Sequence, residues 1–222
     1  MIEQSREGDV TILRMNAGEN RFHPDNLDSL ERALDEVDGS EGPAAIVLTG
    51  SGKFFSNGLD LEWMGGAAAG EPQRNVVRVQ ALLARLLGSP VAVIAALNGH
   101  AFAAGAMLAL TCDERVMRSD RGFFCLPEVD INIPFTPGMA ALIQAKLPTR
   151  AAREAMLTGR RYGGIDALEA GIVDAAVAED EVVARAVERA ATLATKNREV
   201  VAAIKSEMYG QALAALRLPV AL

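Results

Sequence analysis

The sequence is poor in the side chains that bind metal ions or form disulfides. Its 222 residues include two cysteines and two histidines. Cys112 and Cys125 both lie inside apolar segments, which favours buried thiols over a disulfide or a metal pair. His23 and His100 lie far apart in the chain, without the ligand spacing of a zinc site. We therefore predict no metal site.

Basic clusters and long apolar runs are also missing. Twenty-two basic residues stand against 29 acidic ones, giving a net charge of −7, and no segment concentrates Lys and Arg as a nucleic-acid binder does. No apolar run reaches the length of a membrane span, and the first residues are polar rather than those of a signal peptide. We expect a cytoplasmic protein that binds neither nucleic acid nor a membrane.

Half of the residues are hydrophobic, which is enough for one well-buried domain. Apolar runs of strand length alternate with amphipathic helices, which predicts an α/β fold with parallel pairing. The predicted strands are 9–15, 44–49, 91–97 and an edge strand at 171–174. Helices are expected from residue 24 and at 75–87, 107–111, 137–147, 151–157, 166–170, 181–195 and 198–209. For the helix at 151–157, Thr149 is the expected N-cap and Gly159 the expected stop. We also expect a mobile loop at 64–72 and a short apolar tail from Gly210.

The most informative stretch runs from Val91 to Pro134. A buried strand at 91–97 is followed by a turn of small residues at 101–106 that leads into a helix. Such a turn leaves backbone N–H groups unpaired at the positive end of the helix dipole, which is a socket for negative charge. About twenty residues later comes Glu128, a carboxylate in an apolar context. A base beside an anion socket is typical of proton abstraction next to a carbonyl group.

A second segment, Gly50 to Leu61, follows the strand at 44–49. Loops after parallel strands are where α/β proteins place ligands, so this segment is a candidate wall of the site. Gly58 permits a backbone turn that could aim the Leu59 N–H into a cleft.

Six motifs occur in order along nearly the whole chain. They are Ser56-Asn57-Gly58-Leu59-Asp60-Leu61, Gly99-His100-Ala101-Phe102-Ala103-Ala104-Gly105, Asp113, Pro127-Glu128, Leu157-Thr158-Gly159 and Ala167-Leu168-Glu169-Ala170-Gly171-Ile172-Val173. Together they resemble the crotonase superfamily, the enoyl-CoA hydratase/isomerase family. The resemblance implies a crotonase-like spiral of β-β-α units at 1–174, with a helical C-terminal oligomerisation region at 175–222. It also implies an acyl-CoA substrate and a homotrimer or dimer of trimers.

The resemblance assigns roles to individual residues. It implies that the amides of Leu59 and Ala104 hold the thioester oxygen and that Glu128 is the acid/base. The implied substrate-binding residues are Asn20, Arg21, Phe22, Ser56, Gly58, Asp60, Leu61, Gly105, Met107 and Ile133. Many relatives carry a lysine where this chain has Glu62, so Arg21 or Lys53 is expected to take over phosphate contacts. No cofactor is expected beyond the coenzyme A of the substrate.

One position separates two activities. Hydratases of the family carry a second glutamate where this chain has Met107, and adding water is best served by two acidic groups. Moving a double bond needs a single base, which removes a proton from C2 and returns it to C4. Segments 54–61 and 129–135 also resemble Δ3,Δ2-enoyl-CoA isomerases of the peroxisomal and plant type, which belong to fatty acid β-oxidation. Thr136 stands where dienoyl isomerases carry a further acid.

The resemblance therefore favours an isomerase with Glu128 as its single base. A hydratase, a thioester hydrolase or a non-catalytic acyl-CoA-binding protein remain alternatives, and alanine instead of glycine at Ala103 and Ala104 gives the last some support. Asp60 and Asp130 are the acids that could challenge a one-base mechanism. The residues expected to dry the pocket and raise the proton affinity of Glu128 are Met107, Phe123, Leu126 and Ile133.

Overall fold

Two β-sheets organise the computed structural model, which describes residues 1–219. The strands are β1 (Ile2–Glu7), β2 (Val10–Met15), β3 (Ala45–Gly50), β4 (Phe54–Ser56), β5 (Ala92–Leu97), β6 (His100–Phe102), β7 (Glu114–Arg118), β8 (Phe124–Cys125) and β9 (Ala175–Val177). The larger sheet has the order β1-β2-β3-β5-β7-β9 and the smaller one β4-β6-β8. All neighbours pair in parallel except the β1-β2 hairpin.

Helices connect and cover these strands. They are α1 (Pro24–Asp38), α2 (Leu61–Gly66), α3 (Glu71–Leu87), α4 (Ala104–Thr111), α5 (Pro137–Lys146), α6 (Thr149–Thr158), α7 (Gly164–Glu169), α8 (Val182–Leu193) and α9 (Arg198–Leu216). Short 3-10 turns lie at Pro127–Val129 and Glu179–Glu181. Within residues 1–219, none of these helices combines the length and apolarity that crossing a membrane requires.

Successive strands alternate between the two sheets. β3, β5 and β7 of the larger sheet are each followed by β4, β6 and β8 of the smaller one, and helices then return the chain to the next turn. This order confirms the predicted α/β spiral of β-β-α units. Because the carboxyl ends of parallel strands lie together, the loops after β3 and β5 meet at one edge.

Apolar side chains fill both faces of the larger sheet. Helix α4 is buried along its whole length because its sequence is apolar on every side, and it forms the centre of the main core. Helix α8 covers the opposite face with Val182, Ala186 and Ala190, which recur every four residues and pack against β3, β5 and β7.

An ion pair ties α9 to the central strands. The Lys205 ammonium donates to an Asp113 carboxylate oxygen at 2.8 Å and to the Val91 carbonyl at 3.2 Å. The same Asp113 oxygen accepts from the Val93 amide at 2.8 Å. Lys205 is 6% exposed, so the pair is screened little by solvent. Asp113, one of the six motifs, therefore has a structural role between β5, β7 and α9.

The predicted loop at 64–72 is shorter in the structure, which confines it to residues 67–70. Helix α2 occupies Leu61–Gly66, and α3 already begins at Glu71. The Asp60 carboxylate accepts a hydrogen bond from the Trp63 amide at 3.2 Å, which caps α2. A helix this short has no room for an apolar periodicity, so the glycines and alanines at its end dominated the sequence pattern.

The predicted tail from Gly210 is wrong within the described residues. Helix α9 continues to Leu216 and lies along α5, where a Cβ on Gly138 would be 2.7 Å from the Leu216 Cα. Residues 220–222 lie outside the described part of the chain. The boundary at residue 174 and the oligomerisation role of 175–222 stay predictions.

The edges of the larger sheet differ from the sequence prediction. The last edge strand is β9 at Ala175–Val177, after the predicted 171–174. Strand β1 at the other edge was not foreseen, because its side chains are mostly polar and exposed on both faces. Helix starts also shift. Helix α3 begins at Glu71 instead of residue 75, α4 at Ala104 instead of 107 and α7 at Gly164 instead of 166. Helix α6 is preceded by Pro148, so Thr149 is its first residue rather than its N-cap.

Candidate active site

Glu128 lies at the end of the smaller sheet. Strand β8 leads into the 3-10 turn Pro127–Val129, which turns the Glu128 side chain inward so that 6% of the residue is exposed. Among the described residues, no group forms a hydrogen bond with its Oε2 atom. Burial raises the pKa of the Glu128 carboxyl to about 7. At neutral pH this side chain can therefore both accept and release a proton.

The side chain faces a cleft of about 260 Å³. The cleft is lined by Arg21, Asn57, Leu59, Leu61, Phe102, Ala103, Ala104, Met107, Pro127, Glu128, Ile131, Ile133, Pro134, Phe135 and Met139. In this lining Glu128 is the sole carboxylate and Arg21 the sole cation, within the part of the chain that the structure describes. The other walls are largely apolar, which is why the charged form of Glu128 is disfavoured.

Two backbone segments meet at one side of this cleft. Leu59 pairs with Phe22 as an isolated parallel bridge, and the Phe22 amide donates to the Gly58 carbonyl at 2.8 Å. Ala104 is the first residue of α4. A Cβ built on Gly58 would lie 3.0 Å from the Ala104 nitrogen, so the two segments are in contact. Within residues 1–219, neither the Leu59 nor the Ala104 amide has a backbone or side-chain acceptor.

Glycine is required at two positions of this contact. Gly58 has φ of 81°, in the left-handed region that side chains rarely adopt. A Cβ on Gly105 would lie 2.2 Å from the Ser56 carbonyl oxygen, so α4 packs directly on the backbone of β4. Neither residue lines the cleft; both allow the Leu59 and Ala104 segments to approach each other.

The loop before α1 braces the cleft from behind. Asn20 is 3% exposed and donates to the carbonyls of Phe54 and Phe55, at 3.1 Å each. The Ser56 hydroxyl donates to the Asn20 carbonyl at 2.7 Å. Asn20, Phe22 and Ser56, proposed from the sequence as substrate contacts, are therefore outside the cleft lining and hold its wall in place.

Arg21 reaches the cleft surrounded by carboxylates. Its guanidinium lies 2.7 Å from Glu19, 3.5 Å from Asp60 and 3.6 Å from Glu62. The hydrogen bond to Glu19 and the neighbouring acids raise the pKa of Arg21 above its usual value. One positive charge thus stands against three negative ones, which weakens the attraction of this rim for phosphate. Asp60 faces Arg21 and caps α2 rather than lining the cleft.

Lys53, the other cation considered for phosphate, lies outside the cleft lining. It is exposed, and its carbonyl accepts from the His100 amide at 2.9 Å. The His100 ring packs against Phe54, Phe102 and Phe123 with centroids 5.3, 4.9 and 5.6 Å away. Burial lowers the pKa of His100, and the residue lies outside the cleft lining.

The acids that could rival Glu128 do not line the cleft. The Asp130 carboxylate packs against Gly159, where an added Cβ would lie 2.3 Å from its Oδ2.

Thr136 stands where dienoyl isomerases carry a further acid. It caps α5 by accepting from the Met139 amide at 3.2 Å and donates to Gln80 Oε1 at 2.5 Å. A hydroxyl used in this way faces the helix terminus instead of the cleft.

Met107 is 1% exposed and contributes to the lining from α4. Of the four residues expected to dry the pocket, Met107 and Ile133 line it. Leu126 is buried but does not line the cleft. The prediction for Phe123 is wrong, because 37% of this residue is exposed and its ring packs against His100.

Several lining residues were given no role in substrate binding from the sequence, although some of them belong to the quoted motifs. They are Asn57, Phe102, Pro127, Ile131, Pro134, Phe135 and Met139. Ile131, Ile133 and Phe135 alternate along the chain after Glu128, a pattern that could have identified an extended wall. No comparable signal marks Met139, which comes from the first turn of α5.

The two-sheet spiral, with a buried carboxylate in a cleft where two strand-end loops meet, defines a protein of the crotonase fold. Residues 6–219 match the family model described as Enoyl-CoA hydratase/isomerase. This chain belongs to the enoyl-CoA hydratase/isomerase family.

Among curated proteins, two from Arabidopsis thaliana are similar over most of this chain. Enoyl-CoA delta isomerase 2, peroxisomal, is 39% identical over 221 residues, covering 94% of this chain and 92% of the relative. Enoyl-CoA delta isomerase 3 is 39% identical over 219 residues, with the same coverage of 94% and 92%.

Solved structures share the fold. A probable enoyl-CoA hydratase, EchA3, of Mycobacterium tuberculosis superposes with a TM-score of 0.92 at 29% identity, covering 98% of this chain and 92% of that one. Human mitochondrial delta3-delta2-enoyl-CoA isomerase superposes with a TM-score of 0.89 at 26% identity, covering 97% of this chain and 85% of that one.

Proposed function

We propose that this protein is an enoyl-CoA isomerase that moves a C3–C4 double bond of an acyl-CoA thioester to C2–C3. The observation that carries the proposal is Glu128, the one carboxylate in the described lining of an apolar cleft, with one oxygen free of hydrogen bonds. The delta isomerase names of the Arabidopsis relatives and of the human structure support the same reaction.

The thioester oxygen binds between the amides of Leu59 and Ala104. Both amides are without acceptors in the described chain, and Ala104 begins α4, so the positive end of the helix dipole adds to their field. Donors fixed in this way stabilise negative charge that develops on the oxygen during the reaction.

Glu128 then moves one proton. Its carboxylate takes a proton from C2, and the electrons of that C–H bond delocalise onto the thioester oxygen and the C3–C4 double bond as a dienolate. The protonated Glu128 returns the proton to C4, the electrons shift back, and the double bond lies at C2–C3. A pKa near 7 suits both half-reactions, because the group is neither too weak a base nor too weak an acid.

Met107 favours isomerisation over hydration. It fills the position on α4 where the family's hydratases carry their second glutamate, and it is buried against the cleft. An apolar side chain there neither binds nor deprotonates a water molecule. A dry site also protects the dienolate from solvent protons.

The partner we propose is the acyl-CoA substrate itself, with its coenzyme A the only cofactor-like group. Arg21 is the cation of the cleft rim, although its three acidic neighbours weaken phosphate binding there.

We also propose a homotrimer or dimer of trimers, which would cover exposed apolar side chains at Leu157, Ile165 and Leu168. A cytoplasmic location stays a prediction, and the name of the Arabidopsis relative enoyl-CoA delta isomerase 2 includes the word peroxisomal.

Purified protein mixed with 3-hexenoyl-CoA is expected to form 2-hexenoyl-CoA, followed by the ultraviolet absorbance of the conjugated thioester. The same protein with 2-hexenoyl-CoA in water is expected to form little 3-hydroxyhexanoyl-CoA, measured by chromatography. Faster hydration than isomerisation would identify a hydratase. Release of free coenzyme A would identify a hydrolase, and acyl-CoA binding without turnover a non-catalytic protein.

The rate should depend on pH through Glu128. Because burial raises the pKa of this carboxyl to about 7, kcat/KM for 3-hexenoyl-CoA should rise tenfold per pH unit well below pH 7 and level off above it. Only the carboxylate form removes the C2 proton, which sets the sign. A profile measured from pH 5 to 9 that is already level over this whole range would contradict a buried base.

A further inference from the structure

Ala103 has a backbone conformation that alanine rarely adopts. Its φ is 50° and its ψ is −126°, at the position just before α4. A positive φ brings the Cβ of an L-residue against its own backbone, and glycine is the residue that takes such angles without strain. Two hydrogen bonds hold the strain in place: the Ala103 amide donates to the Cys125 carbonyl at 3.0 Å, and its carbonyl accepts from the Met107 amide at 3.0 Å.

The strained residue lies in the cleft. Ala103 is half-buried and contributes to the lining beside Glu128. A Cβ on Gly58 would lie 3.1 Å from the Ala103 Cβ. Because Gly58 has no side chain, the Ala103 methyl can face it closely at the contact between the Leu59 and Ala104 segments.

Fold stability does not account for this methyl. Glycine would satisfy the same two backbone hydrogen bonds without strain, and glycine is well tolerated before a helix. Strain kept at a site usually accompanies a function of the strained group. The group here is one methyl. Because it lies next to the Ala104 amide, it can contact only the part of a substrate that binds beside that amide.

We infer that the Ala103 methyl makes the cleft discriminate against acyl thioesters that carry a substituent at C2. The inference rests on the proposed function, in which the thioester oxygen accepts from the Ala104 amide. Peptide geometry keeps the Cβ of Ala103 next to that amide nitrogen, so the atoms flanking the thioester carbonyl pass beside the methyl. One C2 hydrogen faces Glu128, and a larger group in place of the other meets this wall. Straight-chain thioesters are thus the substrate class.

The test compares one straight-chain and two branched saturated ligands in binding, so that it does not depend on turnover. Calorimetry with hexanoyl-CoA and with each enantiomer of 2-methylhexanoyl-CoA should give the wild-type protein at least a tenfold preference for the straight chain over both branched esters, in the range that one methyl group produces in a tight pocket. In Ala103→Gly the ratio should fall to about threefold or less, mainly by tighter binding of one enantiomer. Turnover of 3-hexenoyl-CoA and 2-methyl-3-hexenoyl-CoA should shift in the same way.

Ala109→Gly is the matched control. Ala109 is a fully buried residue of α4 that lies outside the cleft lining, so this variant should keep the wild-type ratio. It should also lose thermal stability, because glycine weakens a helix interior. Ala103→Gly should keep or raise its Tm, because the substitution relieves the positive φ.

Each outcome has one meaning. If wild type binds neither type of ester, the proposed function fails and this inference with it. If wild type binds and isomerises the straight-chain esters but Ala103→Gly keeps the wild-type ratio, the proposed function stands and the inference is overturned. A wild-type protein without preference overturns it as well.

Discussion

Glu128→Gln is expected to lower kcat for 3-hexenoyl-CoA by about 10³-fold, the typical contribution of a general base. The amide has nearly the shape of the carboxyl group and cannot take the C2 proton. Because the cleft holds no other carboxylate in its described lining, no neighbouring group can substitute. Binding of hexanoyl-CoA should change little, since the amides of Leu59 and Ala104 are untouched. The exposed α1 residue Glu36 offers a control, and Glu36→Gln should keep full activity.

The same variant should weaken a dependence of stability on pH. The Glu128 carboxyl has a pKa of about 7 when folded against 4.5 in its ordinary state, so between these values the folded protein binds the proton more tightly than the unfolded chain. The contribution of this carboxyl to the free energy of unfolding is on the order of 3 kcal/mol in all. It is fully present below pH 4.5 and is lost as pH rises through 7. When urea unfolding is measured at pH 5 and at pH 8, the free energy of unfolding should decline less between the two in Glu128→Gln than in wild type. An equal decline together with full activity would contradict the assignment of Glu128 as a buried base.

Gly105→Ala is expected to lower the free energy of unfolding by about 3 kcal/mol, as overpacking against a rigid backbone does. The new Cβ would lie 2.2 Å from the Ser56 carbonyl oxygen, which belongs to β4 and cannot rotate away. Helix α4 and β4 must therefore separate, which parts the Ala104 amide from the Leu59 segment. In a protein of this size the Tm should fall by about 6 to 12 °C. Isomerisation should fall by a larger factor than the residual folded fraction explains.

Gly210→Ala provides the opposite control for that substitution. Gly210 lies inside α9 with no atom within 4 Å of an added Cβ, and glycine in a helix interior is unfavourable. This variant should gain about 0.5 to 1 kcal/mol in the free energy of unfolding. Thermal unfolding of both variants in one buffer makes the comparison direct. Wild-type stability and activity in Gly105→Ala would show that the two segments do not need their close approach.

Most of the secondary structure could be predicted because local patterns carry it. The apolar run before Asn98 and the helical spacing of Leu27, Leu30 and Leu34 each reflect one strand or helix facing one core. Elements that the rest of the fold imposes gave no such signal. Strand β1 is polar on both faces and exists through pairing with β2, and α9 continues past Gly210 because α5 offers it a surface.

The candidate site divides in the same way. Glu128 could be singled out because a Pro-Glu pair in an apolar context, in a chain that resembles a known family, indicates a catalytic carboxylate. Asn20, Phe22 and Ser56 were grouped with it as contacts, although they brace the wall by hydrogen bonding to backbone. A motif shows that a residue is needed and does not distinguish touching a ligand from holding the residue that does.

Periodicity in the sequence was enough to predict an α/β fold, and the resemblance carried by the ordered motifs implied the spiral, the family and the carboxylate that we propose as the base. The tertiary structure alone decided how deeply Glu128 is buried, that Asp60 and Asp130 lie outside the cleft lining, and that the Ala103 methyl faces Gly58. The physical reason is that solvation, electrostatic neighbours and steric contact depend on distances between residues far apart in the chain. Local sequence patterns carry no measure of those distances.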